Sequence, residues 1–189
     1  LYGYVVTSKV ASGILKSFNL EKTRAYPGIK AVLSFKDIPG ENQMGPVIKD
    51  EPALVEHEIN FVGQALFLIA ASSIEFARKA AELIVVEIEE HTPILTLEEA
   101  IAQAALLHPP RKIETGNVEA IFKSKHLQLS GTLKTGAQEH WYLETQACLA
   151  VPGEAKEIKI YSSTQHPSET QEIVADVLGL DKMEVEVEA

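Results

Sequence analysis

The pattern of apolar and polar positions predicts short strands in the first part of the chain. Residues 2–8 and 13–20 have the β-branched and aromatic content of strands. A third such segment, residues 28–35, follows the turn signal Pro27-Gly28. We expect the three strands to pair in one sheet.

A loop is predicted at residues 36–52. The segment carries the pairs Pro39-Gly40 and Gly45-Pro46 and has little apolar periodicity. We expect the sequence of this loop to vary freely.

The next pattern is strand, helix, strand. Residues 60–71 contain a continuous apolar run that suits a strand covered on both faces. Residues 72–84 place apolar side chains at helical spacing, with Ser72 or Ser73 available as the N-cap. Residues 85–91 alternate, with the carboxylates outward. The order predicts one βαβ-like unit.

A capped helix precedes the predicted domain boundary. Within residues 92–112, Thr96 is the expected N-cap, and Glu99 completes a capping box. The helix should stop at Pro109-Pro110, because two prolines fix two backbone dihedrals and remove two hydrogen-bond donors. We place the domain boundary at this pair.

The remaining segments mix strands and helices. We expect the helix over residues 168–180 to begin at the N-cap Ser168 and to end at Gly179. The other predictions are a helical turn at 116–124, a strand at 126–136, a pair of strands at 147–152 and 157–163 around the turn near Gly153, and a last strand without an evident partner at 183–189.

Composition narrows the function classes. The 189 residues are 46% hydrophobic and 23% charged, which is typical of a globular protein. The net charge of −10 argues against nucleic acid or an anionic membrane as a partner. The single cysteine, Cys148, is interpreted as a small buried hydrophobic residue in a reducing, cytoplasmic setting. No apolar run approaches the ~20 residues that cross a bilayer.

One candidate site is the polar stretch at residues 136–146. If it is helical, His140 and Glu144 share one face, as two metal ligands do, although no third ligand accompanies them. The alternative is that Trp141 and Tyr142 bury their rings at a domain junction while nearby polar groups satisfy the backbone.

A second candidate is Gln165, between a predicted strand and a predicted helix. Its amide has a structural interpretation, in which it caps the helix or bonds to a neighbouring loop. It also has a functional one, because a strand end followed by a helix start is where α/β architectures bind ligands, and an amide can donate to an oxo or carbonyl oxygen. The spacing does not decide between them.

Two long motifs resemble a known family. The stretch GAQEHWYLETQACLAVPGE, followed by IYSSTQHPSETQEIVADVLGL, is similar to the start of the molybdenum-cofactor domain of the xanthine dehydrogenase and aldehyde oxidase family. Residues 1–40, 59–101 and 113–122 resemble the α/β hammerhead domain of that family and the connector after it. The phrase SSTQHPSETQ is more similar to xanthine dehydrogenases than to other members.

The resemblance implies an α+β fold class: an α/β hammerhead domain at residues 1–110, then an incomplete α+β molybdopterin-binding domain at residues 111–189. In the family the glutamine of the Ser-Thr-Gln motif donates a hydrogen bond to an oxo ligand of molybdenum, and Gln165 is the matching residue. No catalytic or metal-ligating residue is expected in this segment, because the Gly-rich stretch, the substrate-binding arginine and the catalytic glutamate of the family come later than Ala189.

The cofactors implied are the molybdenum cofactor on molybdopterin in the full enzyme, with iron-sulfur clusters and FAD in partner domains or subunits. We expect the segment alone to bind none of them. The expected partners are the remainder of the molybdenum subunit, the iron-sulfur and flavin domains or subunits, and a second copy in a homo-oligomer, with no nucleic acid and no membrane.

The resulting hypothesis is a fragment of a molybdenum-dependent hydroxylase, xanthine dehydrogenase-like, that oxidises a purine, another N-heterocycle or an aldehyde with water as the oxygen source. By itself the fragment is expected to be inactive. The alternative is a free-standing hammerhead-type interaction module without catalysis.

Overall fold

The computed structural model describes residues 1–124 and 127–189, which divide into two compact units: Leu1–Pro93 with Glu144–Ala189, and Ile94–Leu143. The strands are β1 (Tyr2–Thr7), β2 (Gly13–Asn19), β3 (Ile29–Leu33), β4 (Glu58–Ile59), β5 (Ala65–Ala71), β6 (Val85–Glu90), β7 (Cys148–Pro152), β8 (Ile158–Ser162) and β9 (Val185–Glu188). The helices are α1 (Glu21–Arg24), α2 (Ile74–Ala81), α3 (Leu97–Ala102), α4 (Val118–Lys123) and α5 (Pro167–Leu178), with 3-10 turns at Phe35–Asp37 and Lys182–Glu184. The α+β class is confirmed.

The first three strands lie in two sheets, so the prediction of a single sheet is wrong. One sheet has the order β1-β5-β3 and another has the order β4-β2-β6, both with antiparallel pairs. Strand β5 bonds to β1 along one edge and to β3 along the other. Because a strand has two edges, β5 has none left for β2, which pairs with β6 instead.

The predicted βαβ-like unit is also wrong, since β5 and β6 belong to different sheets and α2 connects them. The parallel crossover lies in the third sheet, of order β7-β8-β9. There β8 pairs antiparallel with β7 and parallel with β9, and α5 connects β8 to β9. The last strand therefore has a partner, contrary to the sequence prediction.

The core of residues 1–93 centres on β5. Phe67, Ile69 and Ala71 alternate onto one face of the strand and are buried, whereas Leu68 on the other face remains partly exposed. The Phe67 ring meets Phe18 of β2 edge to face, with ring centroids 5.0 Å apart, which joins the first sheet to the second. Burying one such side chain stabilises the fold by about 1.5–3 kcal/mol.

Helix caps agree with the sequence in two cases and differ in a third. Ser73 caps α2, and Thr96 with Glu99 forms the predicted capping box of α3, which nevertheless ends at Ala102, well before the double proline. Ser168 is not the N-cap of α5: the helix begins at Pro167, after His166. Proline suits this first position because its missing N–H would have no intrahelical partner there.

One predicted strand and the predicted domain boundary remain to be compared with the structure. The strand predicted at residues 126–136 begins at His126, which lies outside the described residues, and residues 127–136 form no strand. The domain boundary at Pro109-Pro110 stays a prediction.

Gly179 offers a test of the end of α5. Its φ of +64° is left-handed, and the conformation is part of the cap in which Leu180 N donates to Ala175 O at 2.9 Å. We expect Gly179→Ala to lower the free energy of unfolding by about 1 kcal/mol, because a Cβ disfavours that conformation. Denaturant unfolding measures this, with Gly3→Ala as the control, since a Cβ there would meet nothing within 4 Å. Equal losses in both variants would contradict the prediction.

Asp37 makes stability depend on pH. Its carboxylate accepts hydrogen bonds from the backbone N of Ser34 at 2.8 Å and from the Ser34 hydroxyl at 2.9 Å, and these bonds lower the pKa of Asp37. A lowered pKa stabilises the fold above the unfolded-state value of about 3.9, and the contribution is lost as pH falls through the folded-state pKa.

We therefore expect Asp37→Asn to lower the free energy of unfolding at pH 7, by an amount that shrinks as the pH is taken below about 4. Urea unfolding at a series of pH values measures the difference. Asp50→Asn is the matched control, because the exposed Asp50 carboxylate accepts no hydrogen bond within the described residues. A difference that is independent of pH would contradict the assignment.

Candidate functional site

The connection from β8 to α5 is the candidate site. It consists of residues 163–166, and it leaves the sheet at the carboxyl end of a strand whose next neighbour along the chain, β9, is parallel to it. In a parallel crossover this end of the strands is where ligands bind, because the helix that follows directs its free N–H groups there.

Ser163 fixes the first residue of the connection. Its hydroxyl accepts from Ala147 N at 2.9 Å and lies 3.2 Å from Ala147 O, and its own backbone N donates to Ala147 O at 3.1 Å. These bonds extend the β7–β8 ladder by one residue beyond the strands themselves. The connection therefore starts from an anchored backbone.

Thr164 and Thr170 fix the far side. Thr164 N donates to Ser162 O at 2.9 Å, and Thr164 Oγ1 accepts from His166 N at 3.1 Å. The Thr170 hydroxyl lies 3.1 Å from His166 O and 3.2 Å from Thr164 Oγ1, so it can donate to either atom. A short side-chain network thus ties the connection to the first turn of α5.

Gln165 lies between these two anchors and is exposed. Within the described residues its side-chain amide makes no hydrogen bond, and α5 has no side-chain cap. The structural interpretation, in which the amide caps the helix or bonds to a loop, thus finds no support in the described part of the chain. What remains is an amide donor, held on a fixed backbone and free to bind an oxygen atom.

The stretch at residues 136–146 does not form the candidate metal pair. It contains no helix, so the spacing that would put His140 and Glu144 on one face is absent. In residues 1–124 and 127–189, no group of three or more His, Cys, Asp or Glu side chains is placed to hold a metal ion. The alternative, with the Trp141 and Tyr142 rings buried, is wrong, because Trp141 is 89% exposed and Tyr142 60% exposed.

Cys148 is exposed, and the prediction of a buried thiol is wrong. It begins β7, an edge strand of the third sheet, and the buried cluster beside α5 is formed by Ile160, Ala175 and Val185, none of which lies on β7. The sequence pattern predicted a strand here, but it did not indicate which strand would lie at the edge of the sheet.

The face of the third sheet that lies away from α5 is partly charged. Lys159 of β8 donates to Glu186 at 2.7 Å and lies 3.0 Å from Glu188, both on β9, and these bonds raise the pKa of Lys159. Beside them an open groove of about 470 Å³ is lined in part by Leu149 and Tyr161. The lining of this groove does not include Gln165.

Helix length gives one further structural fact. In the parts of the chain that the structure describes, no helix combines the length and apolar character needed to traverse a bilayer.

Comparisons with known families cover nearly the whole chain. Residues 1–92 match the model described as aldehyde oxidase and xanthine dehydrogenase, a/b hammerhead domain. Residues 99–189 match the molybdopterin cofactor-binding domain, and the candidate connection lies inside that match.

Curated relatives agree with the two models. Xanthine dehydrogenase of Dictyostelium discoideum is 39% identical over 185 residues, which is 98% of this chain and 14% of that protein. Aldehyde oxidase 4 of Cavia porcellus is 39% identical over 184 residues, which is 96% of this chain and 13% of that protein. The chain therefore spans about one seventh of the length of these relatives.

A solved structure shows the same fold. The aldehyde oxidoreductase from Desulfovibrio gigas superposes with a TM-score of 0.84 at 23% identity, over 98% of this chain and 22% of that one. The fold of a hammerhead domain followed by part of a cofactor-binding domain is thus confirmed.

Thr164 offers a test of the anchored connection. We expect Thr164→Val, which keeps the shape and removes the acceptor, to speed hydrogen exchange of the His166 amide by about fivefold, the equivalent of one hydrogen bond. Exchange followed by NMR measures this. Ser162→Ala is the control, since the Ser162 hydroxyl makes no bond within the described residues. An unchanged His166 rate would show that the Thr164 contact does not hold the connection.

Proposed function

Because this chain belongs to the aldehyde oxidase and xanthine dehydrogenase family, we propose that it is a segment of the large chain of a molybdenum-dependent hydroxylase. Within that enzyme, residues 1–92 form the hammerhead domain, and the third sheet with α5 begins the domain that binds the molybdopterin cofactor.

The observation that carries the proposal is the state of Gln165. Its amide is exposed and unbonded within the described residues, while Ser163 and Thr164 fix the backbone on one side and Thr170 ties it to α5 on the other. An anchored, unused donor fits a group that presents an oxygen atom. The connection at residues 163–166 is therefore suited to donate one hydrogen bond, from Gln165, to the cofactor.

When bound, the cofactor supplies two-electron oxidation of a substrate carbon, with the oxygen taken from water. The role of Gln165 is to donate its Nε2 hydrogen bond to an oxygen of that group and to orient it. Ser163 and Thr164 are positioning residues, because they act on the backbone that carries Gln165. An amide neither accepts nor releases a proton at neutral pH, so Gln165 is not the base of the reaction.

The proposed substrate class is based on the relatives of this chain. We infer a purine, another N-heterocycle or an aldehyde. A xanthine dehydrogenase-like activity is favoured because xanthine dehydrogenases of Dictyostelium discoideum, Calliphora vicina and Drosophila pseudoobscura are 38–40% identical to this chain. Iron-sulfur and flavin domains or subunits that accept the electrons, a cytoplasmic location and a homo-oligomeric state belong to the same proposal. The comparisons do not favour a free-standing interaction module, since the relatives match both domains of the chain at once.

The test uses the whole enzyme chain in which this segment is encoded, with the variants Gln165→Ala and Gln165→Glu. We expect turnover of xanthine and of an aldehyde to fall on the order of 100-fold, the usual cost of removing one aligned donor at a reacting group. Folding should be unaffected, because the side chain makes no hydrogen bond within the described residues.

Ser168→Ala is the matched control, since Ser168 is exposed on the first turn of α5 and does not cap it. Steady-state kinetics and the molybdenum-to-protein ratio are the measurements. Full turnover in both Gln165 variants would overturn the role assigned to Gln165. Hydroxylation by the isolated 189-residue chain would overturn its assignment as an incomplete segment.

A further inference from the structure

The loop at residues 36–52, predicted to vary freely, has a fixed turn at Pro39–Glu41 that lies against the last turn of α5. Gly40 N donates to Val177 O at 3.0 Å, and Glu41 N donates to Asp176 O at 2.8 Å. The last carbonyl groups of a helix have no intrahelical donor. Here two backbone donors from a distant segment supply part of that cap.

The contact admits only glycine at position 40. A Cβ on Gly40 would lie 2.0 Å from Asp176 O and 2.6 Å from Gly179 N, which are both backbone atoms. Any side chain therefore forces the turn away from the helix. Gly179, which has a left-handed φ, is the residue of the helix end that lies next to Gly40. A Cβ on Gly179 would lie 3.6 Å from Gly40 Cα.

Asn42 ties the same turn to residues 1–93. Its Nδ2 donates to Leu54 O at 2.8 Å, and its Oδ1 accepts from Leu54 N at 2.9 Å, a pairing of the kind that a neighbouring strand makes. Leu54 is buried, and the adjacent Val55 N donates to Ala65 O of β5 at 2.9 Å. A continuous path of hydrogen bonds and intervening peptide bonds thus leads from β5 to the end of α5.

Helix α5 has Gln165 at its other end. The helix has 12 residues, a length of about 18 Å, and it is a rigid element over that distance. A constraint on its C-terminal turn therefore limits where its N-terminal end can lie relative to β5.

We propose that the Pro39–Glu41 turn is an intersegment cap that positions α5, and through it Gln165, on the scaffold of residues 1–93. The positioning part rests on the proposed function of Gln165; the cap itself does not. Gly40 and Asn42 are the positioning residues, and neither contacts the cofactor in this proposal.

The experiment uses the whole enzyme chain and three variants. Gly40→Ala destroys the fit, and Asn42→Ala removes the anchor without adding any atom to the contact. Gly3→Ala is the control, because its Cβ enters open space. Should Gly40→Ala fail to fold, Asn42→Ala tests the same link.

Two readouts separate the cap from the proposed function. Hydrogen exchange, measured on protein without cofactor, should show the amides of residue 40 and Glu41 exchanging at least about tenfold faster in Gly40→Ala, as expected when the two hydrogen bonds from the turn to α5 are lost together. Asn42→Ala should raise the Gly40 and Glu41 rates, and Gly3→Ala should change none of them.

The second readout is the EPR spectrum of the one-electron-reduced molybdenum centre. We expect Gly40→Ala and Asn42→Ala to shift the spectrum in the direction of Gln165→Ala, whereas a purely structural weakening would lower only its intensity. Unchanged exchange rates would overturn the cap. Faster exchange with a wild-type spectrum would overturn the positioning role, and a wild-type spectrum in Gln165→Ala itself would instead remove the proposed function.

Discussion

The two edges of β5 are the constraint on which the rest of residues 1–93 depends. Both are hydrogen-bonded, to β1 and to β3, so no other strand can pair with β5, and β2, β4 and β6 form a second sheet. The alternation of β5 then puts Phe67 against Phe18 of that second sheet. The carbonyl of Ala65, at the start of the same strand, holds Val55 and so begins the path to α5.

The backbone groups at the two ends of α5 need hydrogen-bond partners from outside the helix, and these partners organise the candidate site. At its C-terminal end, donors come from Gly40 and Glu41 as well as from the local Gly179 and Leu180 amides. At its N-terminal end, proline removes one unsatisfied N–H, and Thr164 and Thr170 hold the approach. Gln165 is left as a side chain whose position is set by its neighbours and whose amide is available to bind.

The chemistry within the chain is correspondingly limited. Among the described residues, no group of three or more His, Cys, Asp or Glu side chains is placed to hold a metal ion, and the ion pairs of Lys159 and Lys16 join neighbouring strands. In the proposed function, this segment supports the cofactor and supplies one contact to it, through Gln165.

The sequence by itself determined much of the local structure: the capping box of α3, the glycine at the end of α5 and the paired strands around Gly153, together with the motifs that identify the family. These depend on short-range contacts, which neighbouring residues specify directly. Gln165 was found in the same way, from its motif, and its role stays a prediction.

Only the tertiary structure decided which strands distant in the chain pair, that Cys148 and Trp141 are exposed, and that Gly40 meets Gly179. Strand periodicity has no information about partners, because every strand offers the same backbone groups at the same spacing. The exposure of Cys148 likewise depends on which strand is left at the edge of its sheet. The Pro39–Glu41 turn and α5 are far apart in the chain. Their contact depends on how the fold brings the two backbones together, which no local sequence pattern specifies.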